Sequence, residues 1–157
     1  MVAARDRLPS EGARDELAAA TCAPGLDQTL VDAAIELALQ RFAGQEAIVA
    51  ALRTESGRIL AGVCAPAAVD SASLCAETGP ICEAHRLGER VTASVCLYRA
   101  AGAEHFKVLP ACGICQERLA VFGMDVQIAV PSTDARQWWQ KATLRELRPF
   151  YWNDELA

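Results

Sequence analysis

Residues 74–80, LCAETGP, place a cysteine two positions before a glutamate, and residues 109–117, LPACGICQE, add two more cysteines. Each stretch lies near the predicted start of a helix, where unsatisfied N–H groups and the positive end of the helix dipole favour a thiolate. Cys112 and Cys115 are three residues apart, so their side chains emerge on one side of a helix. The sequence therefore predicts that Cys75, Cys112 and Cys115 bind one tetrahedral metal ion.

A set of three protein ligands is typical of a catalytic zinc site, because the fourth position stays free for water. Zinc lowers the pKa of such a water to roughly 7, which makes a hydroxide available near neutral pH. Glu77 follows Cys75 by two residues, so on a helix it does not share the direction of the ligand. We therefore predict Zn²⁺ as cofactor and Glu77 as the catalytic group that moves the proton.

Hydrophobic periodicity outside these stretches predicts an α/β fold. Apolar residues recur at helical spacing over 26–42, and residues 46–54 and 57–64 are two apolar runs joined by a short glycine-containing turn. Helices are predicted over 75–90, 112–122 and 144–149, and further strands over 91–100, 125–130 and 135–142. This order predicts a three-layer α-β-α sandwich with a mixed five-stranded sheet.

Length and composition limit the class of protein. The chain has 157 residues, which fit one domain over 26–157 preceded by a loosely attached arm over 1–25, in which residues 17–20 can form a short helix. No apolar run is long enough to cross a bilayer, and the first residues lack the apolar segment of a secretory signal. We therefore predict a cytoplasmic protein whose seven cysteines stay reduced.

Charge further restricts the partners. The net charge is −5 and the chain has no cluster of basic residues, so a nucleic-acid partner is not expected. With no membrane segment predicted either, the expected partner is a small molecule.

The motifs CAE at 75–77 and CGIC at 112–115 resemble those of the zinc-dependent cytidine deaminases, and the nearest likeness is to their blasticidin-S deaminase branch. The resemblance extends from about residue 30 to residue 152. It implies a cytidine deaminase-like fold and zinc ligation by the three cysteines. It also implies that zinc-bound hydroxide attacks the amine-bearing ring carbon, with Glu77 as general acid/base and release of ammonia. A homotetramer, or a homodimer, is the oligomer that it implies.

Departures from the family pattern leave the substrate open among cytidine, deoxycytidine and a blasticidin-S-type analogue. Residues 63–73, VCAPAAVDSAS, lack the asparagine and glutamate that hold the ribose in the family. Thr78 and Gln116 stand where the family has arginines, and Arg86 or Arg118 is expected to compensate. The residues that we expect at the substrate on the strength of the resemblance are Glu46, Cys64, Ala76, Pro110 and Trp152.

Two other functions remain open at this point. Cys112 and Cys115 alone also fit a dithiol oxidoreductase, since a CxxC pair at a helix start is typical of thioredoxin-like proteins. A homologue that retains zinc but has lost turnover, and acts as a binding module, fits the same motifs.

Overall fold

The structure of the protein is a computed structural model that describes residues 25–151 and residue 153. Most of the predicted N-terminal arm, with its short helix over 17–20, lies outside the described residues, and so does Trp152. In the described part of the chain, no helix is both long enough and apolar enough to cross a membrane.

The first helix of the described residues, α1, spans Gln28–Arg41 and confirms the helix predicted over 26–42. Its buried residues recur at helical spacing and form one apolar stripe: Leu30, Val31, Ala34 and Ala38. Asp27 caps the helix, because its carboxylate accepts a hydrogen bond from the Leu30 N–H at 3.0 Å. The same carboxylate oxygen accepts a hydrogen bond from the Arg53 guanidinium at 2.6 Å, which ties the start of the helix to the sheet.

The described residues form one six-stranded sheet. Its strands are β1 (Ala47–Thr54), β2 (Ile59–Val63), β3 (Val91–Arg99), β4 (Lys107–Val108), β5 (Gln127–Pro131) and β6 (Trp139–Thr143). The other helices are α2 (Thr78–Leu87), α3 (Gly113–Ala120) and α4 (Leu144–Leu147), and residues 70–72 form one 3₁₀ turn.

The sheet is mixed, as predicted. The strand order is β2-β1-β3-β5-β6, in which only the β3/β5 pair is parallel. The short strand β4 lies off this path and pairs with β3 through Leu97 and Val108. The main path of the sheet thus has the five strands predicted, and β4 adds a sixth of two residues, too short to show an alternating pattern in the sequence.

The strand at the far edge also differs from the prediction. It was predicted over 135–142, whereas β6 begins at Trp139. Residues 134–137 form a turn instead, closed by a hydrogen bond from the Gln137 N–H to the Asp134 carbonyl at 3.0 Å.

The two faces of the sheet are covered by different helices. Val49 and Ala51 of β1 pack in one cluster with α1, whereas Ala50 and Leu52 pack in a second cluster with α2, α3 and α4. Successive side chains of a strand point to opposite faces, so this partition places the sheet between two helical layers. The predicted three-layer α-β-α sandwich is confirmed.

Candidate metal and catalytic centre

The first half of the site lies immediately before α2. The helix begins at Thr78, three residues later than predicted, so Cys75 lies in the turn that leads into it. The Thr78 N–H closes this turn by donating to the Cys75 carbonyl at 2.9 Å. Pro80 is tolerated in the first helical turn, because the N–H groups there have no partner within the helix.

This turn rests on the sheet at Gly62 of β2. A Cβ atom added at Gly62 would lie 2.5 Å from the Ala76 carbonyl oxygen and 2.5 Å from the Pro80 ring. The contact therefore requires a residue without a side chain. This role of Gly62 was not predicted from the sequence, although a glycine inside a strand often marks a close backbone approach.

The second half of the site lies at the start of α3. Cys112 is the N-cap residue of this helix, and Cys115 lies in its first turn. The chain reaches this position along β3, where the Leu109 N–H donates to the Cys96 carbonyl at 2.9 Å. The Gln116 amide then donates to the Ala111 carbonyl at 2.7 Å, which holds the loop against the helix that follows it.

The structure brings the three predicted cysteines together. Their Sγ atoms lie within 4.8 Å of one another, and those of Cys75 and Cys112 are 3.5 Å apart. Cys115 is buried, Cys75 is half-buried and Cys112 is exposed, so the cluster opens to solvent on one side. Among the described residues, these cysteines form the one group of three or more His, Cys, Asp or Glu side chains that could hold a metal ion.

The local electrostatics favour a positive charge between the sulfurs. Burial raises the pKa of Cys75 and of Cys115 above the ordinary value of a thiol, and the neighbouring Glu77 charge raises both further. Burial opposes ionisation of Cys112 as well, but hydrogen bonds, including those from the Cys115 and Ile114 backbone, lower its pKa. A bound cation would offset the charge that otherwise keeps three thiolates from coexisting here.

Glu77 lies beside the cluster and does not belong to it. It is the N-cap residue of α2 and is only 3% exposed, yet its side chain makes no capping hydrogen bond. Its charge raises the pKa of Cys75, Cys96 and Cys115, so the carboxylate is within electrostatic range of these three thiols. The structure thus places a buried carboxylate next to the sulfurs.

The residues predicted to contact a substrate occupy different surroundings. Ala76 is buried between Cys75 and Glu77, and Pro110 is exposed shortly before Cys112. Cys64 follows β2, and its N–H donates to the Ile48 carbonyl at 3.0 Å. Ala76 therefore lies in the turn that carries Cys75 and Glu77, whereas Cys64 is hydrogen-bonded to Ile48, which packs in the same apolar cluster as Cys75.

Glu46 lies farther out. Ile48 packs in the same apolar cluster as Cys75, and Glu46 precedes it by two residues, which in an extended chain is the same face. The Glu46 carboxylate is exposed and accepts a hydrogen bond from the Tyr98 hydroxyl at 3.2 Å.

The two arginines considered as compensating charges are separated by the structure. Arg86 pairs with Glu83 on the exposed side of α2, with 2.9 Å between Nε and Oε2. Arg118 instead reaches across from α3 and donates to the Thr78 hydroxyl at 2.7 Å. Arg118 is therefore the one of the two that contacts the site.

The chain was compared with known proteins and solved structures. No family model and no curated protein matches the chain. The solved structure of the cytidine deaminase from Bacillus anthracis is 40% identical, with a TM-score of 0.76, over 82% of this chain and 91% of that chain. That of the cytidine deaminase from Mycobacterium leprae is 25% identical, with a TM-score of 0.62, over 78% of this chain and 96% of that chain.

A third solved structure supports the fold alone. The cytidine deaminase from Burkholderia pseudomallei is 18% identical, with a TM-score of 0.63, over 81% of this chain and 99% of that chain. The similarity to the Bacillus protein decides the family, because both its identity and its coverage are high. The chain belongs to the cytidine deaminase family.

Proposed function

We propose that the protein is a zinc-dependent hydrolytic deaminase of a cytosine nucleoside or nucleoside analogue. The reaction replaces the amine on the pyrimidine ring by a carbonyl oxygen from water and releases ammonia. The observation that carries this proposal is the buried carboxylate of Glu77 beside three cysteine sulfurs that lie within 4.8 Å of one another. Membership of the cytidine deaminase family supports it.

Cys75, Cys112 and Cys115 are the residues that would hold the zinc ion. The donor set fits, because thiolates are favoured zinc ligands and three protein ligands are the number found in catalytic zinc sites. When bound, zinc supplies a Lewis acid that lowers the pKa of a coordinated water to about 7.

Glu77 would move the proton. One of its carboxylate oxygens accepts a proton from the attacking water and then delivers it to the leaving amine, as the conserved glutamate of zinc deaminases does. Burial suits this role, since a carboxylate shielded from bulk water exchanges its proton with the reacting groups. The side chain makes no capping hydrogen bond, so its carboxylate is not engaged by the N–H groups of its own helix.

The substrate contacts are expected to depart from the ribose contacts typical of the family. We propose that Glu46, Cys64, Ala76, Pro110 and Trp152 contact the substrate. The exposed Glu46 carboxylate can accept a hydrogen bond from a sugar hydroxyl or an ammonium group. An amine-bearing analogue of the blasticidin-S type is therefore one of the candidate substrates. We further propose that the protein acts in the cytoplasm as a homotetramer or homodimer.

The test combines metal analysis with an ammonia-release assay on cytidine, deoxycytidine, isocytidine and blasticidin S. We expect one zinc ion per chain and ammonia from at least one of these compounds. Cys112→Ser should lose both zinc and activity, whereas Cys82→Ser, which removes an exposed cysteine outside the cluster, should retain both.

Two other outcomes would contradict the proposal. Bound zinc without ammonia release from any of the four compounds would favour a zinc-containing binding module. Absence of zinc, together with a disulfide between Cys112 and Cys115 that forms and breaks reversibly, would favour a dithiol oxidoreductase.

A further inference from the structure

The three sulfurs come from two separate helix starts. Cys75 precedes α2, whereas Cys112 and Cys115 belong to α3, so the cluster depends on how these two segments are held relative to each other. Zinc ligands must be held within a few tenths of an ångström of the geometry that the ion prefers. A contact that joins the two helix starts directly therefore bears on the site.

Arg118 provides such a contact. It lies three residues after Cys115 on α3, so the two side chains project from neighbouring positions on one side of the helix. Its Nη1 atom donates to the Thr78 hydroxyl at 2.7 Å in a partly buried hydrogen bond. Thr78 directly follows Glu77, and its N–H donates to the Cys75 carbonyl at 2.9 Å. One bond thus joins the helix of Cys115 to the turn that carries Cys75 and Glu77.

The choice of residue types suits this role. An arginine is long enough to reach a neighbouring helix, and its guanidinium remains charged at all ordinary pH values. A hydrogen bond to a charged donor is stronger than one between neutral groups. The threonine hydroxyl supplies an acceptor without adding a second negative charge next to Glu77 and the cysteines.

We propose that Arg118 is a positioning residue that fixes the Cys75–Glu77 turn relative to the Cys112 and Cys115 sulfurs through its bond to Thr78. This inference rests on the proposed function. It goes beyond it by assigning a role to two residues outside the zinc ligands and the catalytic glutamate. Groups around the ligands of a metal site act in this way, by orienting the ligands.

The experiment compares zinc release and turnover in four single variants and one double variant of the zinc-loaded protein. Arg118→Met and Thr78→Val each remove one partner of the bond and keep much of the side-chain volume. Thr78→Ser keeps the hydroxyl. Arg86→Met is the matched control, because it removes the same charge from an arginine whose partner is Glu83 on the exposed side of α2.

Zinc release is followed with an excess of a coloured chelator. We expect Arg118→Met and Thr78→Val to release zinc about tenfold faster than the wild type, at the lower end of the 10–100-fold effects of residues around metal ligands. Combining the two should add little, since either change alone breaks the bond. Thr78→Ser and Arg86→Met should release zinc at the wild-type rate, and kcat should fall in the first two variants with little change in KM.

Several results would overturn the inference. Zinc release from Arg118→Met at the wild-type rate would do so, even if that variant unfolded at a lower temperature, because the bond would then only stabilise the fold. Independent, multiplicative effects of Arg118→Met and Thr78→Val would also do so. A wild-type protein that holds zinc but releases no ammonia would contradict the proposed function alone, whereas one that holds no zinc would contradict both.

Discussion

Two helices in the described part of the chain begin with an acidic N-cap residue, and the surroundings of the two carboxylates differ. At the start of α1, Asp27 is extended and half-exposed, and its carboxylate accepts hydrogen bonds from the Leu30 N–H and from Arg53. At the start of α2, Glu77 is buried and makes no capping hydrogen bond. One carboxylate joins the helix start to the sheet, whereas the other is buried without a capping hydrogen bond, which is unfavourable for a polar group unless another interaction compensates.

The difference extends to the two faces of the sheet. The cluster beneath α1 consists of apolar side chains, as expected for a layer whose task is packing. The cluster beneath α2, α3 and α4 contains Cys96 and Cys115 among its buried residues, with Cys75 packed against it. Both faces are packed with apolar side chains, but the proposed chemistry lies on the face under α2, α3 and α4 alone, so substitutions that touch the site and substitutions at α1 should change different measurements.

The largest expected effect is that of Glu77→Gln. The amide keeps the shape of the side chain but cannot accept the proton, so kcat should fall by about 10²–10⁴-fold, the usual contribution of general acid–base catalysis. Zinc content and thermal stability should match those of the wild type. Ammonia release measures kcat, metal analysis measures the zinc content, and thermal unfolding measures the stability. A variant that deaminates at the wild-type rate would remove Glu77 from the mechanism.

Asp27→Ala is the reverse case. It removes an N-cap, worth about 1 kcal/mol, and the charged partner of Arg53, a bond worth about 1.5–3 kcal/mol. The free energy of unfolding, measured by urea denaturation, should therefore fall by about 2–4 kcal/mol. The value of kcat in the folded protein should be unchanged.

Asp32→Ala is the matched control for Asp27→Ala. Asp32 lies on the same helix and accepts an exposed hydrogen bond from Gln28 at 2.8 Å. Its loss should change the stability by less than about 0.5 kcal/mol, as is usual for surface positions. Equal destabilisation by the two variants would mean that the cap and the Arg53 contact add no more to the free energy of unfolding than an exposed hydrogen bond does.

Gly62→Ala should affect both measurements. The new Cβ would meet the Ala76 carbonyl oxygen and the Pro80 ring at 2.5 Å, so the turn that carries Glu77 must shift. We expect about 1–3 kcal/mol of destabilisation, the usual cost of overpacking, together with a lower kcat. Gly79→Ala is the control, since open space surrounds that position and alanine is favoured over glycine in a helix.

A Gly62→Ala protein with wild-type stability and kcat would show that the turn does not depend on this contact. A Gly79→Ala protein that lost as much kcat would show that the start of α2 tolerates no substitution, and the effect at Gly62 would then say nothing about the contact with β2.

Local patterns in the sequence predicted the main elements and the central residues of the site. Three of these patterns are visible within a few neighbouring residues: the helical period of α1, the two apolar runs of the hairpin, and the spacing of Cys112 and Cys115. The likeness of two short motifs to a known family then joined Cys75 and Glu77 to that pair. Each of these signals depends on residue type at a fixed spacing.

The features that the sequence did not reveal are contacts between distant segments. Gly62 lies against Ala76, and Arg118, which was expected only as one of two possible compensating charges, donates a hydrogen bond to Thr78, 40 positions earlier. Strand β4 forms because the chain passes beside β3, and two residues carry no pattern of their own. Such contacts are set by the tertiary fold, so a glycine or an arginine taken alone gives no sign of them.

The smallest expected effect is that of Glu146→Gln. It tests whether a polar group of α4, which packs on the same face of the sheet as the cysteines, affects kcat. Glu146 completes a capping box at α4, where its Oε2 accepts hydrogen bonds from the Thr143 N–H at 2.6 Å and hydroxyl at 2.9 Å. The bond from the Thr143 backbone lowers the pKa of Glu146. Its charge therefore stabilises the fold above the pKa of the unfolded chain, and this contribution disappears as the pH falls through the lowered value.

Glutamine can still accept the capping hydrogen bonds, so only the charge-dependent part of the stability should be lost. Wild type and Glu146→Gln should differ slightly in urea midpoint at about pH 7 and converge well below pH 4, since the unperturbed pKa of glutamate is about 4.3. The kcat at neutral pH should be the same for both, although Leu144 of the same helix packs in the cluster that contains Cys115. A lowered kcat would mean that the site depends on the whole helical layer, and a difference that widened in acid would contradict the role of the charge.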